Sequence, residues 1–199
     1  MAGSAPLVGI LAVQGDVREH AAVLTELGAR VSLVRRPSEV EHLDGLVIPG
    51  GESSVIDKLS RAFGIAEPIR AAIAGGLPVY GTCAGLILLA DRIADGIQGQ
   101  QSFGGIDATV RRNAFGTQSD SFETDLEVPV LGEPPVHAAF IRAPVVEDAG
   151  EAVETLAALD GGGVVAVRQR HLLGTSFHPE VTGETRFHRL FLEMVQSAR

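Results

Sequence analysis

The residues best suited to covalent chemistry centre on Cys83, the sole cysteine, in Gly81-Thr82-Cys83-Ala84-Gly85. Leu77-Pro78-Val79-Tyr80 before it reads as the end of a buried strand, and Leu86-Ile87-Leu88-Leu89-Ala90 after it as the start of a buried helix. Strand, glycine-flanked turn and helix is the layout of a nucleophile elbow, with cysteine where the G-x-S-x-G pattern has serine. The glycines permit a sharp, strained turn and a close approach of neighbouring chain. A thiol at a helix N-terminus meets unpaired N–H groups and the positive end of the helix dipole, an environment that favours the reactive thiolate. Taken alone, a lone cysteine is more often a small buried hydrophobe.

A nucleophilic cysteine needs a base that is itself held by a third group. His178 in Ser176-Phe177-His178-Pro179-Glu180 follows an apolar run, and Glu180 is close enough to orient the imidazole if Pro179 fixes the turn. The plainer alternative is a strand-end histidine beside a solvated acid. Attack on an amide also needs N–H donors for the developing oxyanion. Gly50-Gly51 can present one N–H group after a buried strand, and Ala84 the other from the helix N-terminus; otherwise Gly-Gly is an ordinary turn before a helix. Ser53 and Ser54 lack the glycine frame of a nucleophile and read as helix caps. Gly50 to Ser54 lacks the spacing and lysine of a P-loop. Arg112 and Arg142 are either carboxylate clamps or ordinary surface arginines. His20, His42, His137, His171 and His188 show no metal-ligand spacing, and most of them read as surface or strand-end residues, so no metal site is expected.

Positioning these groups requires a layered scaffold. Leu7 to Val13 is nearly all apolar, as in a strand covered on both faces. Asp16 is placed to cap a helix whose Val17, Ala21, Leu24 and Leu27 share a face, ended by Gly28. Short strands follow over Arg30–Val34 and Leu43–Ile48, then helices near Glu52-Ser53-Ser54 and over Pro68–Ala74. This alternation predicts a three-layer, doubly wound α/β fold. Gln14, Gly50-Gly51 and Cys83 all follow predicted strands and should share the carboxyl edge, where ligands sit in such sheets. In the second half, strands are predicted near Ile106–Val110, Val136–Ile141, Val153–Leu159, Val164–Val167 and Leu172–Phe177, with a hairpin turn at Asp160 to Gly163. They read as antiparallel additions making a mixed sheet within one domain spanning residues 1–199. Thr182 is expected to cap a final helix that buries Phe187, Leu190, Phe191 and Met194.

Composition narrows the setting. A net charge of −9, with Lys58 the only lysine among 16 basic residues, argues against nucleic-acid binding and against a polybasic membrane contact. One cysteine excludes an internal disulfide and suits a reducing compartment. The start of the chain has no positive side chain before Arg18, unlike a secretory signal, and no apolar run reaches the ~20 residues of a membrane span. The expected location is the cytoplasm.

The elbow, Pro49-Gly50-Gly51-Glu52-Ser53 and His178-Pro179-Glu180 resemble those of class I, triad-type glutamine amidotransferases. A narrower likeness is to the glutaminase subunits of pyridoxal 5′-phosphate synthases. It rests on Ala12-Val13-Gln14-Gly15-Asp16-Val17-Arg18-Glu19-His20, Arg112-Asn113-Ala114-Phe115-Gly116, Asp120-Ser121-Phe122-Glu123, Phe140-Ile141-Arg142-Ala143-Pro144 and the His178 segment. These motifs cover nearly the whole chain, and none departs from the family pattern. The resemblance implies a flavodoxin-like fold and hydrolysis of L-glutamine to glutamate and ammonia. Cys83 would form a γ-glutamyl thioester, His178 act as base and then acid, and Glu180 orient it. Gly51, Glu52, Ser53, Arg112, Ile141 and Arg142 would hold glutamine, and Gly51 and Ala84 the oxyanion; no cofactor is implied. Gln14 would lie near the oxyanion strand, and the edge from Arg18 to His20 would face the partner. That partner is a synthase (lyase) subunit that makes pyridoxal 5′-phosphate, the active form of vitamin B6, from ribose 5-phosphate and glyceraldehyde 3-phosphate. The family's assembly is a ring of synthase subunits carrying glutaminase subunits. Ammonia released inside a closed interface stays neutral and nucleophilic. The isolated chain is therefore expected to be a poor glutaminase until the partner completes the oxyanion site.

Three other readings compete. One is a glutaminase subunit of a different synthase, such as one making a histidine or purine intermediate. Another is a non-catalytic flavodoxin-like binding protein with Cys83 as a redox sensor or core thiol. The third, a cysteine peptidase, has no evident peptide-binding feature in its favour.

Overall fold

The computed structural model describes residues 4–114 and 121–199; Phe115, Gly116 and Asp120 of the sequence motifs fall outside them. The first half alternates as the apolar pattern predicts: β1 (Leu7–Leu11), α1 (Val17–Glu26), β2 (Arg30–Val34), β3 (Gly45–Ile48), α2 (Ser53–Ala62), α3 (Ala66–Ala74), β4 (Val79–Thr82) and α4 (Ala84–Leu89). The second half is mostly strand: β5 (Ala90–Ala94), β6 (Ile106–Arg111), β7 (Ser121–Leu126), β8 (Val136–Ile141), β9 (Val145–Ala149), β10 (Glu154–Ala158), β11 (Val164–Gln169) and β12 (Leu172–Thr175). Short α5 (Pro179–Thr182) and α6 (Arg186–Ser197) end the chain.

Among the described residues, ten strands form one mixed sheet in the order β2-β1-β3-β4-β12-β11-β9-β6-β5, with β10 paired to β11. β2, β1, β3, β4 and β12 are mutually parallel, whereas β12–β11, β11–β9 and β9–β6 are antiparallel. Parallel strands buried on both faces need continuous apolar runs, and the residues of β3 and β4 are all buried. Their alternate side chains feed two apolar layers. Leu46 and Ile48 join Ile56, Ile69 and Leu86 from α2, α3 and α4; Val47 and Tyr80 join Leu24, Phe187 and Phe191 from α1 and α6. This is the expected α/β doubly wound, flavodoxin-like mixed sheet.

Several local expectations change. Val136–Ile141 does not enter the main sheet; β8 pairs with β7 as a separate two-stranded ribbon. Its apolar face is taken up against the α1/α6 layer, where Phe140 stacks on Phe122 at 4.7 Å and meets Phe177 edge-on at 5.5 Å. The helix after the elbow is short, because the chain leaves α4 directly into β5, an element without a clear apolar alternation. β12 extends the parallel half instead of adding an antiparallel strand. Thr182 closes α5, with Gly183 in the left-handed conformation at φ 76°, and Thr185 precedes α6. The Asp160–Gly163 turn does join an antiparallel pair, β10 and β11. Among the described residues, no helix is long and apolar enough to cross a membrane.

Candidate active site

The strand order places four functional segments side by side. β1, β3, β4 and β12 are consecutive parallel neighbours. Gln14, Gly50-Gly51, Cys83 and His178, which follow them, therefore emerge along one edge. A cleft of about 430 Å³ opens there, lined by Gly51, Glu52, Ser53, Cys83, Arg112, Ile141, Arg142 and His178, among others.

The elbow has the backbone its sequence implies. Cys83 takes φ 49°, ψ −101°, a region costly for a residue with a side chain. Its N–H donates to the Thr175 carbonyl at 2.7 Å, tying the turn to β12. The flanking glycines are steric requirements. A Cβ on Gly81 would lie 2.5 Å from the Gly85 backbone, and one on Gly85 would overlap the Ile48 carbonyl oxygen. The thiol is 6% exposed, with Sγ 4.0 Å from the Ile141 carbonyl oxygen.

The imidazole of His178 stands beside it. Nδ1 is hydrogen-bonded to Glu180 Oε1 at 2.9 Å, and Pro179 starts α5 so that the two side chains turn the same way. Asp16 Oδ2 lies 3.3 Å from the same Nδ1. With Nδ1 engaged by carboxylates, Nε2 is the nitrogen left for a reacting group. Burial works against a charged imidazole, but hydrogen bonds with Asp16, Cys83 and Glu180 outweigh it and push His178 up to about 12. Burial also raises the Glu180 carboxyl, against the pull of His178. The Glu180 side chain is fully enclosed, and Oε2 has no hydrogen-bond partner. Among the described residues, Asp16, His178 and Glu180 are the one group close enough to grip a metal, with ligand atoms within 4.8 Å. The Nδ1–Glu180 hydrogen bond and the Asp16 contact at the same nitrogen account for that closeness without an ion.

The remaining anticipated residues divide between the two sides of the cleft. Gly51 has φ 151°, open to glycine, and the next N–H, that of Glu52, donates to Gln14 Oε1 at 2.8 Å. Glu52 caps α2, a job expected of the serines: its carboxylate accepts from the Ser54 N–H at 3.3 Å and hydroxyl at 3.0 Å. Arg112 donates to Glu52 Oε1 at 2.7 Å and to Gln100 Oε1 at 3.1 Å, so it belongs to the site and is not a free surface arginine. Ile141 and Arg142 are exposed at the end of β8, Arg142 with φ 45°. Ala84 is buried behind Cys83 as the first residue of α4, where helices leave N–H groups without intrahelical partners.

Sequence reasoning missed Gln100, whose Nε2 donates to Ser53 Oγ at 2.9 Å; its stretch carries no periodic signal. It also gave Asp16 the wrong task. Asp16 holds the N-cap position of α1 but makes no side-chain cap, because its carboxylate is turned to His178. His20 does not face outward: it is fully buried, as is His188. His20 Nδ1 is 2.9 Å from His188 Nε2, and His20 Nε2 is 3.0 Å from Thr82 Oγ1 and 3.6 Å from Glu180 Oε1. Burial holds both imidazoles low, His188 at about 4.

A family model for the SNO glutamine amidotransferase family matches residues 10–197. The chain belongs to that family. Its curated relatives include the pyridoxal 5′-phosphate synthase subunit PdxT of Clavibacter sepedonicus, 68% identical over 98% of this chain and 94% of the relative. The PdxT subunit of Leifsonia xyli subsp. xyli is 65% identical over 98% of each chain. A crystal structure of a glutamine amidotransferase superposes with a TM-score of 0.88 at 49% identity, covering 95% of this chain and 98% of that one. In this chain, the cleft at the carboxyl edge of the parallel strands brings together Gly51, Cys83, Arg112, Arg142 and His178.

Proposed function

We infer that this chain, a glutamine amidotransferase of the pyridoxal 5′-phosphate synthase type, hydrolyses L-glutamine through Cys83, His178 and Glu180. The observation that carries the reading is the convergence, from β4 and β12, of a strained cysteine elbow and an imidazole held by a buried carboxylate. The Cys83 thiol gives its proton to His178 Nε2 as the sulfur attacks the side-chain amide carbon, and the carbonyl oxygen takes the negative charge. N–H groups at Gly51 and Ala84 receive that charge. As the C–N bond breaks, His178 gives its Nε2 proton to the leaving nitrogen, which departs as ammonia and leaves a γ-glutamyl thioester on Cys83. His178 then takes a proton from water as it attacks the thioester carbon; glutamate leaves and the thiol is restored. Glu180 holds the ring through Nδ1 at both stages. Gly51, Glu52, Ser53, Arg112, Ile141 and Arg142 form the glutamine pocket, with Arg112 and Arg142 the cations for its α-carboxylate.

The ammonia is passed to a synthase subunit, in the ring assembly that the resemblance implies. The whole chain acts as one glutaminase domain in the cytoplasm. The Glu52 N–H is engaged by Gln14 in the free chain, which supports a pocket adjusted by the partner. The test is ammonia release from glutamine with and without a synthase subunit, against a Cys83→Ala control. Release that depends on the partner and vanishes in the control is expected. No release from a demonstrably formed complex would discard the glutaminase reading, and equal release in both states would discard the gating.

A further inference from the structure

The turn between β1 and α1 carries a group that the triad reading does not use. Asp16 is the residue before α1, where a carboxylate normally caps the helix. Here the side chain makes no cap, and Oδ2 lies 3.3 Å from His178 Nδ1. The backbone is shaped for this. The Asp16 N–H donates to the Gly50 carbonyl at 3.1 Å, which lays the turn on the β3 exit. A Cβ on Gly15 would overlap that same carbonyl oxygen. A Cβ on Gly50 would overlap the imidazole Cε1 and come within 2.8 Å of Asp16 Oδ2. Two glycines on different elements thus leave the space in which imidazole and carboxylate meet.

We propose that Asp16 is a positioning residue for His178, a second carboxylate that faces Nδ1 beside Glu180 and supplies the counter-charge for the imidazolium. This rests on the glutaminase reading of the site. The two acids divide the work by their surroundings. Glu180 is enclosed, with Oε2 unpartnered, so it fixes the ring's direction but is a costly place for a full charge. The Asp16 side chain is 38% exposed and keeps water on its carboxylate while facing the ring. His178 must carry an extra proton before ammonia leaves and again while water attacks, and an anion at this distance favours that form.

The other charged groups around the imidazole do not duplicate it. Cys83 faces it from the elbow and Glu180 from α5, while His20 on α1 is buried and held neutral behind Glu180. Across the cleft, Arg112 is paired with Glu52, and Arg142 lies at the exposed end of β8.

The experiment is a histidine-labelled NMR titration of the full chain, with the His178 resonance assigned by its loss in His178→Gln. Asp16→Asn keeps the volume of the side chain and removes its charge. The His178 imidazolium should lose its proton about 1–3 pH units lower in Asp16→Asn than in the parent chain. In the complex with a synthase subunit, the alkaline limb of kcat/KM for glutamine should descend by the same amount, with KM little changed and partial recovery in Asp16→Glu. An unchanged His178 titration in folded Asp16→Asn, or a descending limb absent from its kcat/KM profile, would overturn the proposal. Turnover surviving in Cys83→Ala would instead remove the glutaminase reading, while the titration still reports on the Asp16–His178 pair.

Discussion

Acidification should expose the cost of the buried histidine pair. His188 lies in the α1/α6 layer with no exposed surface, against Tyr80 at a centroid distance of 5.4 Å, and its Nδ1 has no partner. Burial lowers it from 6.5 to about 4, with Glu184 pulling weakly the other way. The folded state therefore binds fewer protons than the unfolded chain between those values, so stability falls as pH drops through that window. For His188 alone the loss between pH 7 and pH 5 works out at about 2 kcal/mol. His20 is shifted in the same direction and adds to it. His178 has the opposite sign: its raised value gives stability that is fully present below 6.5 and fades as pH rises toward about 12, so it offsets part of the acid loss. The comparison must therefore isolate one residue. Urea unfolding of the parent chain and of His188→Gln, at pH 7 and pH 5, removes the shared contributions. Gln can still reach His20 Nδ1 but does not titrate. The parent should lose about 2 kcal/mol more than the variant over this interval. Equal losses in the two proteins would refute the claim that His188 is kept neutral by burial.

Other outcomes follow from particular contacts. Gly85→Ala should lower stability by about 1–3 kcal/mol or more in thermal unfolding, because the new methyl group meets the Ile48 carbonyl on a central strand, which cannot rotate away. Arg112→Ala in the active complex should raise KM for glutamine on the order of 10-fold with a smaller change in kcat, since it removes a cation from the pocket and frees Glu52. Glu180→Gln should reduce kcat on the order of 100-fold or more in steady-state ammonia release, because an amide can hold the ring in the wrong tautomer. Phe140→Ala should loosen the β7–β8 ribbon at a cost of about 3–5 kcal/mol in urea unfolding, as it removes a buried ring stacked on Phe122 and set against Phe177.

What could be read in the amino-acid sequence was local. The elbow is five consecutive residues whose glycines have no tolerable substitute, and His178 and Glu180 are two residues apart. The strand–helix rhythm through Gly85 follows from buried runs in β3 and β4. Legibility failed where a residue's partner is distant. Asp16 has the sequence of a helix cap, and only the meeting of the β1 and β12 exits gives it His178 instead. His20 looks like a surface residue of α1 until α6 places His188 against it across 168 residues. Gln100 reaches the site from a stretch with no periodicity. The β7–β8 ribbon carries the apolar alternation of a sheet strand, and that pattern does not say which apolar layer it will cover.

The most direct test of the account is to identify the atom that carries the acyl group. The chain, assembled with a synthase subunit and turning over glutamine, would be quenched in acid and peptide-mapped by mass spectrometry. The account predicts a glutamyl adduct on the Cys83 peptide, labile to hydroxylamine and absent in Cys83→Ala. An adduct on Ser53 or Ser54, or undiminished turnover by Cys83→Ala, would contradict it.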